Sequence, residues 1–343
     1  MLDDLKMIHT RDPQDALGVA EKQWQQLIYD YKVDVSSFSD IQNVVLAGMG
    51  GSALPGVFLR SWPGTKVPFE IVRDYSLPEY VNPKTLFISS SYSGNTEETL
   101  TALIEAENRG AQIIVISAGG KLADKAKEKN YPLLTIPGGI QPRMCSFYFL
   151  AAFIQILEPL GIVEAGKRDE LSKVSDWLKD KTVFWKAEIP TDSNPAKQLA
   201  LELVGKSVVV YSGPKLFPAA NKWKICMNEN AKNIAWTNQF PEFNHNEFIG
   251  WSSHPTQKPY AVIEIRSNLE NERVQKRFEV TERLLSGQRP SPEIVVPEGS
   301  SLIEQLLWAS NYGDYVSLYL ALLNGLNPTP VDLVEKLKVE LDS

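Results

Sequence analysis

The sequence is poor in cysteine and histidine, with two cysteines and three histidines among 343 residues. Such a low cysteine count excludes a disulfide framework, and Cys145 and Cys226, each in an apolar stretch, are predicted to be buried and reduced. The histidines and cysteines are also scattered along the chain, so the sequence predicts no metal site.

Long hydrophobic runs are missing as well. The longest, residues 147–163, is interrupted by Gln155, Glu158 and Pro159 and is too short and broken for a transmembrane helix. The first twelve residues are polar and lack the apolar segment of a secretory signal. We therefore expect a cytoplasmic protein with no membrane partner.

Positive charge is not in excess, because the formal net charge is −7. A nucleic-acid partner is not expected, since its phosphates would be repelled. A local site for a small anion is still compatible with this charge. The chain is 43% hydrophobic and 22% charged, which is ordinary for a packed protein, and its length suits two domains.

Buried strand patterns alternate with helix patterns through the first half. Strands are predicted at residues 44–47, 69–73, 85–91, 113–117 and 133–136. Helices are predicted at residues 15–31, 53–62, 97–109, 122–130 and 144–160. This alternation is typical of a parallel sheet covered by helices on both faces.

The second half repeats this layout in a degenerate form. A strand at 207–211, a turn at Ser212-Gly213-Pro214 and a helix at 217–231 resemble residues 44–62. Further strands are predicted at 260–266 and 293–297, and further helices at 196–203, 301–324 and 328–341. We predict an α/β protein with two doubly wound parallel-sheet domains in tandem, 1–163 and 164–343, joined by a helix at 166–180.

Hydroxyl side chains crowd the turn between the strand 85–91 and the helix 97–109. Ser91, Ser93 and Thr96 surround Gly94, which permits a tight turn. At a helix N-terminus such groups favour an anion, and a phosphate monoester can accept several of their hydrogen bonds. An ordinary helix cap would explain one of these hydroxyls but not all of them. No lysine follows in Walker fashion, which argues against a nucleoside triphosphate.

A glycine-rich turn, residues 48–52, follows the strand 44–47 and has two possible interpretations. With Ala53 and Asp74 it approximates a dinucleotide-binding fingerprint, so NAD binding is one of them. Pro55 and Gly56 are expected to weaken the helix that would receive the pyrophosphate, which makes NAD the weaker interpretation. The other is that the turn contacts a sugar beside the serine-rich turn.

Several further motifs accompany these two turns. They are Gln141-Pro142-Arg143, Asn228-Glu229-Asn230, the segment 242–247 and the segment 327–330. In this combination the sequence resembles the sugar isomerase (SIS) family, and within it the bifunctional phosphoglucose/phosphomannose isomerases, from about residue 43 to the last helix. The resemblance implies a cofactor- and metal-independent aldose–ketose isomerase that converts glucose 6-phosphate, and also mannose 6-phosphate, into fructose 6-phosphate through a cis-enediol.

The resemblance also implies how this sugar-phosphate substrate is held. Its phosphate would bind Ser91, Ser93 and Thr96, with Gly50, Gly51 and Ser52 nearby. Arg143 would stabilise the negative charge of the enediolate, because a guanidinium stays cationic throughout. A structural ion pair is the alternative role for Arg143.

Proton transfer is assigned by the same resemblance. Glu229 would carry a proton between adjacent carbons, a task that one carboxylate can perform in both directions. His245 would open the sugar ring, since imidazole titrates near neutrality. His9 and His254 are expected at the surface. In related enzymes the histidine at the position of His245 comes from the partner subunit, so we expect a homodimer. The alternatives are a solvent-facing helical Glu229 and a structural His245.

Two C-terminal positions complete the implied site. Lys336 would assist at the ring oxygen or hydroxyls, with Lys338 as the alternative in register. Thr329 would leave room for rotation about C2–C3, so that the base reaches C2 of either epimer; it could also cap the helix before Pro330.

Two other functions compete with this one. The chain could be another SIS isomerase, for a pentose or amino-sugar phosphate, against which only the second-half motifs argue. It could also be a noncatalytic sugar-phosphate sensor, which would keep the serine-rich turn and need no base. The combination of Glu229, His245 and Arg143 favours the isomerase.

Overall fold

The computed structural model describes residues 1–253 and 258–341. The described strands are β1 (Asn43–Ala47), β2 (Phe69–Val72), β3 (Thr85–Ser91), β4 (Gln112–Ser117), β5 (Leu133–Thr135), β6 (Ser207–Ser212), β7 (Ala235–Gln239), β8 (Tyr260–Ile265) and β9 (Glu293–Val295). The described α-helices are α1 (Leu5–Arg11), α2 (Ala16–Glu21), α3 (Gly50–Ser61), α4 (Glu97–Asn108), α5 (Gly120–Lys129), α6 (Ser146–Leu157), α7 (Lys167–Thr182), α8 (Pro195–Leu203), α9 (Phe217–Glu229), α10 (Glu247–Gly250), α11 (Glu272–Leu284), α12 (Leu302–Leu323) and α13 (Asp332–Leu341).

Residues 22–180 form one compact unit, which we call the first unit. Its five-stranded sheet has the order β2-β1-β3-β4-β5, and every neighbouring pair is parallel. All of β3 is buried, as expected for a central strand covered on both faces. On one face Val45, Phe87 and Val115 pack against Leu103 of α4 and Leu122 of α5. The carboxyl ends of β1 and β3 therefore lie side by side at one edge of a rigid sheet.

Residues 1–21 and 181–343 group into the second unit. Its sheet has four parallel strands in the order β7-β6-β8-β9. The helix α12 is buried along nearly its whole length and packs against α8 and α9, which fixes the position of α9. The prediction of two parallel-sheet α/β halves is confirmed, with the second copy one strand smaller.

The grouping of the chain differs from a simple division at residue 163. The N-terminal segment joins the second unit because the buried Lys197 ammonium donates to the backbone oxygen of Leu2 at 2.7 Å and Asn311 donates to that of Ala20 at 3.0 Å. The helix α7 joins the first unit, where Ser175 donates to the backbone oxygen of Trp24 at 2.8 Å. The predicted family-domain boundary stays a prediction.

One local prediction is wrong. The helix predicted at 15–31 is α2 followed by a 3₁₀ turn at Gln23–Ile28, which is held by the buried Gln26 side chain through its 2.8 Å bond to the Met144 backbone oxygen. The helix predicted at 53–62 is confirmed as α3, which begins three residues earlier, at Gly50, and continues through Pro55. A proline there removes one backbone hydrogen bond, and the burial of nearly every α3 residue offsets that loss.

Cys145 and Cys226 are buried and form no disulfide, as predicted. Every described helix is too short or too polar to cross a lipid bilayer.

Candidate functional site

The carboxyl edge of the first unit carries two turns, which we call the glycine turn (residues 48–52) and the serine loop (residues 91–96). Together they form the first edge. They follow β1 and β3, which are hydrogen-bonded neighbours with Ala47 opposite Ser89. Each turn leads directly into a helix, α3 or α4, so two helix N-termini face the same edge.

The serine loop is ordered by its own hydroxyls. The Ser91 and Thr96 hydroxyl oxygens lie 2.8 Å apart, and the Ser91 oxygen accepts the Gly94 N–H at 3.1 Å. The Ser93 oxygen accepts the Asn95 N–H at 3.2 Å, while the Ser93 side chain is exposed. Gly94 has φ +69°, and a Cβ there would overlap the Gly119 carbonyl oxygen, so only glycine fits.

Ser52 connects the glycine turn to the serine loop. Its hydroxyl accepts the Tyr92 N–H at 2.9 Å, and its carbonyl oxygen accepts the Ser90 hydroxyl at 3.0 Å. Gly50 is exposed with φ +47°, a conformation that glycine adopts without strain. The Ser52 hydroxyl therefore helps to hold the serine loop in place, and Gly50 supplies exposed backbone at the start of α3, where Gly51 is buried.

Arg143 lies against the same turn. A Cβ on Gly51 would approach the Arg143 backbone nitrogen and the Pro142 carbonyl carbon to 2.8 Å, so glycine permits this close packing. The Arg143 side chain is 1% exposed, and its Nη1 donates to Gln141 Oε1 at 3.3 Å. The structure thus brings together all the predicted phosphate-side residues and Arg143 within the first unit.

This edge is suited to an anion. The N-cap residues Met49 and Thr96 lie in the described chain and make no side-chain cap bond to α3 or α4, which leaves the helix starts to other acceptors. The first turn of α3 carries no acidic residue, whereas that of α4 carries Glu97 and Glu98. Those carboxylates act against a bound anion, so α3 offers the more favourable field.

Glu229 ends α9 in the second unit, between two asparagines that fix the end of the helix. Asn228 donates to the Ala235 backbone oxygen at 3.2 Å, and Asn230 donates to the Ser317 hydroxyl at 2.9 Å. These bonds tie the end of α9 to β7 and to α12, and Glu229 itself is partly buried. Glu229 is therefore not fully exposed to solvent.

Lys232 joins the end of α9 to the C-terminal loop. Its ammonium donates to the backbone oxygens of Asn327 and Pro328 at 2.8 and 3.0 Å, and of Asn230 at 3.2 Å. Thr329 follows directly, with its N–H bonded to Asn327 Oδ1 at 2.9 Å. The structure therefore brings Glu229 and Thr329 into one region. Lys232 is not among the predicted site residues; its one signal in the sequence is its position two residues after the Asn228-Glu229-Asn230 motif.

His245 lies in a 3₁₀ turn, Glu242–His245, and its side chain is exposed. The following Glu247 anchors the segment, because its carboxylate accepts the buried Tyr211 hydroxyl and, at 2.7 Å, the Asn238 amide. Burial raises the pKa of Tyr211 far above its usual range, so the phenol stays a donor. His9 is exposed, and His254 lies outside the described residues.

Lys336 and Lys338 are exposed on α13. Lys338 pairs with Glu335 at 2.7 Å. The structure does not bring either lysine into a packed site, so the choice between them stays a prediction.

One cavity in the second unit is large enough for a small ligand. This cavity of about 480 Å³ is lined by Leu199, Val295 and Trp308 and contains none of the predicted site residues. Within residues 1–253 and 258–341, no three His, Cys, Asp or Glu side chains are arranged as metal ligands.

Comparisons with known proteins show which family the chain resembles. The SIS domain model matches residues 37–136, and the model of the bacterial phospho-glucose isomerase C-terminal SIS domain matches residues 192–341. A bifunctional phosphoglucose/phosphomannose isomerase from Caldicellulosiruptor bescii is 37% identical over 88% of this chain and 90% of its own. One from Aquifex aeolicus is 32% identical over 91% of this chain and 94% of its own.

Among solved structures, a glucose-6-phosphate isomerase like protein from Thermus thermophilus superimposes with a TM-score of 0.67. The match covers 97% of this chain and 99% of that one at 16% identity, so it supports the fold alone. The predicted tandem SIS architecture and the family resemblance are confirmed.

Proposed function

The chain belongs to the bifunctional phosphoglucose/phosphomannose isomerase family of SIS proteins, and from that premise we propose that it interconverts glucose 6-phosphate, and also mannose 6-phosphate, with fructose 6-phosphate. The observation that carries the proposal is the first edge, where the serine loop, the glycine turn and Arg143 lie together. Such an edge suits one phosphate monoester with a reacting carbon chain attached.

Phosphate binding is assigned to Ser91, Ser93 and Thr96 together with the backbone N–H groups of Gly50 and Gly51. Ser93 is the exposed hydroxyl, whereas Ser91 is buried and orders the loop. Several hydrogen bonds to a doubly charged group are stronger than the same bonds to a neutral one. The phosphate is therefore the anchor that all substrates share.

Glu229 is the proposed proton carrier. Removing the proton from the carbon next to the carbonyl gives a cis-enediol, and returning it to the neighbouring carbon completes the isomerisation. Arg143 would stabilise the negative charge that develops on oxygen in between, since a buried guanidinium acts most strongly where water is excluded. Thr329 lies in the same region as Glu229, which supports the proposed role of Thr329 beside the sugar.

His245 is the proposed ring-opening acid–base, acting from the partner subunit of a homodimer, and Lys336 is the proposed assistant at the ring oxygen. The exposure of His245 in the described chain supports a role outside its own subunit. Mixing inactive Glu229→Gln and His245→Ala subunits tests this arrangement. Shared sites would restore about a quarter of the wild-type activity, because one of two sites in each mixed dimer is intact. No recovery would contradict it.

A coupled assay with fructose 6-phosphate tests the proposed function itself. Glucose 6-phosphate and mannose 6-phosphate are followed separately, with a pentose phosphate and an amino-sugar phosphate as alternative substrates. Formation of both hexose products, persisting in EDTA, is expected. A sensor would bind fructose 6-phosphate without turnover, and another SIS isomerase would prefer one of the alternative substrates. The two buried cysteines, which form no disulfide, support a reducing compartment such as the cytoplasm.

A further inference from the structure

Tyr92 lies between Ser91 and Ser93 in the serine loop, and the proposed isomerase mechanism assigns it no role. Its backbone is fixed at both ends. The Tyr92 N–H donates to the Ser52 hydroxyl at 2.9 Å, and its carbonyl oxygen accepts the Ala118 N–H at 3.1 Å. The direction of its side chain is therefore set by the phosphate-binding edge.

The Tyr92 hydroxyl bridges the start of the segment that leads to Arg143. It donates to the Pro137 backbone oxygen at 3.3 Å and accepts the Ile140 N–H at 3.3 Å. Between those residues lie two exposed glycines, of which Gly139 has φ +91°. Within the described chain, a Cβ on Gly138 or Gly139 would meet no atom within 4 Å. The two glycines therefore contribute no side-chain packing to this turn, and the phenol forms hydrogen bonds to the residues on both sides of them.

The Tyr92 hydroxyl also lies near the buried Cys145, two residues after Arg143. Its hydrogen bonds are to the chain on the other side of the arginine, at Pro137 and Ile140. Burial raises the pKa of Tyr92 to about 12, so the hydroxyl keeps its proton at neutral pH. On its other side, Arg143 packs its backbone on Gly51 of the glycine turn.

We propose that Tyr92 is a positioning residue, which connects the phosphate-binding serine loop to Arg143 by holding residues 137–145 in place. This inference rests on the proposed function, in which Arg143 stabilises the enediolate. It predicts an effect on kcat that is separate from phosphate binding, because Ser91, Ser93 and Thr96 keep their own hydrogen bonds when the phenol is removed.

Tyr92→Phe keeps the ring and removes the hydroxyl. We expect kcat to fall about tenfold, as for loss of a hydrogen-bonded positioning group, while the inhibition constant of inorganic phosphate stays within about twofold. Gly139→Ala disturbs the same turn through its left-handed backbone and should reproduce the loss. The matched control is Tyr131→Phe in the same unit, whose hydroxyl donates to Glu107 at 3.1 Å, and its kcat should not change.

Adding Tyr92→Phe to an Arg143→Gln enzyme gives the decisive comparison. If Tyr92 acts through Arg143, the second substitution lowers kcat by less than about twofold. A full tenfold loss in that background, or a normal kcat in Tyr92→Phe alone, would overturn the inference. An equal loss of phosphate affinity would also overturn it, since the role would be structural. If Arg143→Gln itself keeps normal kcat, the proposed function of Arg143 fails instead.

Discussion

The two sheets end in similar turns, yet their carboxyl edges differ in what fills them. The second edge consists of residues 212–216 after β6 and residues 266–271 after β8. There the Glu270 carboxylate accepts the Lys215 N–H at 2.7 Å and occupies the space beside Gly213. At the first edge, the neutral Ser52 hydroxyl accepts the backbone N–H of the neighbouring loop instead. The second edge is therefore closed by an internal anion, and the first is left for an external one.

A matched pair of serines shows the same contrast. Ser93 and Ser267 each accept the N–H two residues later, from Asn95 at 3.2 Å and from Leu269 at 3.0 Å. Ser93 is exposed, whereas Ser267 is 4% exposed and donates to Gln305 of α12. The same local turn is thus open in one unit and used for packing in the other. Of these two serines, Ser93 is the one whose hydroxyl is accessible to a ligand.

The largest effect is expected from Glu229→Gln, which separates binding from chemistry. The variant should lose about 10²–10⁴-fold in kcat, because the amide cannot accept and return a proton, while fructose 6-phosphate still binds at the first edge. Isothermal titration and the coupled assay measure the two quantities. Glu279→Gln, on an exposed face of α11, is the control and should keep full activity. Retained turnover in Glu229→Gln would remove Glu229 from the mechanism.

The two serines give the next largest effect. Ser93→Ala should raise KM about tenfold, since it deletes a hydrogen bond to a charged group. Ser267→Ala should leave KM unchanged and lower only the melting temperature, because its hydroxyl serves α12. Steady-state kinetics with fructose 6-phosphate distinguish them. Equal changes in KM would show that the two edges do not differ as described.

Glu270→Ala is expected to affect stability rather than binding. Removing the carboxylate leaves the Lys215 N–H without its acceptor and should cost about 1–3 kcal/mol of unfolding free energy. KM should stay at the wild-type value. Urea unfolding measures the loss, with Glu279→Ala as the surface control; a raised KM would instead place substrate at the second edge.

The smallest effect is a pH dependence. Burial raises the pKa of the Glu270 carboxyl in the folded protein. Its contribution to stability is therefore complete below the ordinary glutamate pKa and is lost as the pH rises through the raised value. Glu270→Gln keeps an acceptor but does not titrate, so it should gain stability relative to wild type across that interval. The gain is at most about 1.4 kcal/mol per pH unit. Urea unfolding of both proteins at a series of pH values measures this. A stability difference between them that stays constant across the interval would contradict the prediction.

The sequence predicts the features of the two units that depend on residues close together in the chain. Buried strands such as β3, and hydroxyls adjacent in sequence such as Ser91 and Ser93, leave clear patterns. The edge strand β7 is mostly half-buried or exposed and gives no apolar run, so it was not predicted. Glu270 is 55 residues from Lys215 in the chain, and no pattern within either segment indicates that their groups meet.

Side-chain roles within the site were also only partly predictable. The place of Ser52 near the substrate phosphate stays a prediction, while its hydrogen bond to the Tyr92 N–H in the serine loop has no signal in the sequence. Tyr92 lies inside the recognised motif, but its contacts with residues 137–145 depend on tertiary packing. Which of the predicted site residues are accessible to a ligand depends on their tertiary hydrogen bonds, which the sequence does not show.

A crystal structure of the Glu229→Gln protein with fructose 6-phosphate tests the central difference between the edges most directly. We predict the phosphate on the serine loop, within hydrogen-bonding distance of Ser93, with the Glu270 carboxylate still bonded to the Lys215 N–H. A phosphate bound at the second edge with Glu270 displaced, or a first edge without phosphate, would contradict the account.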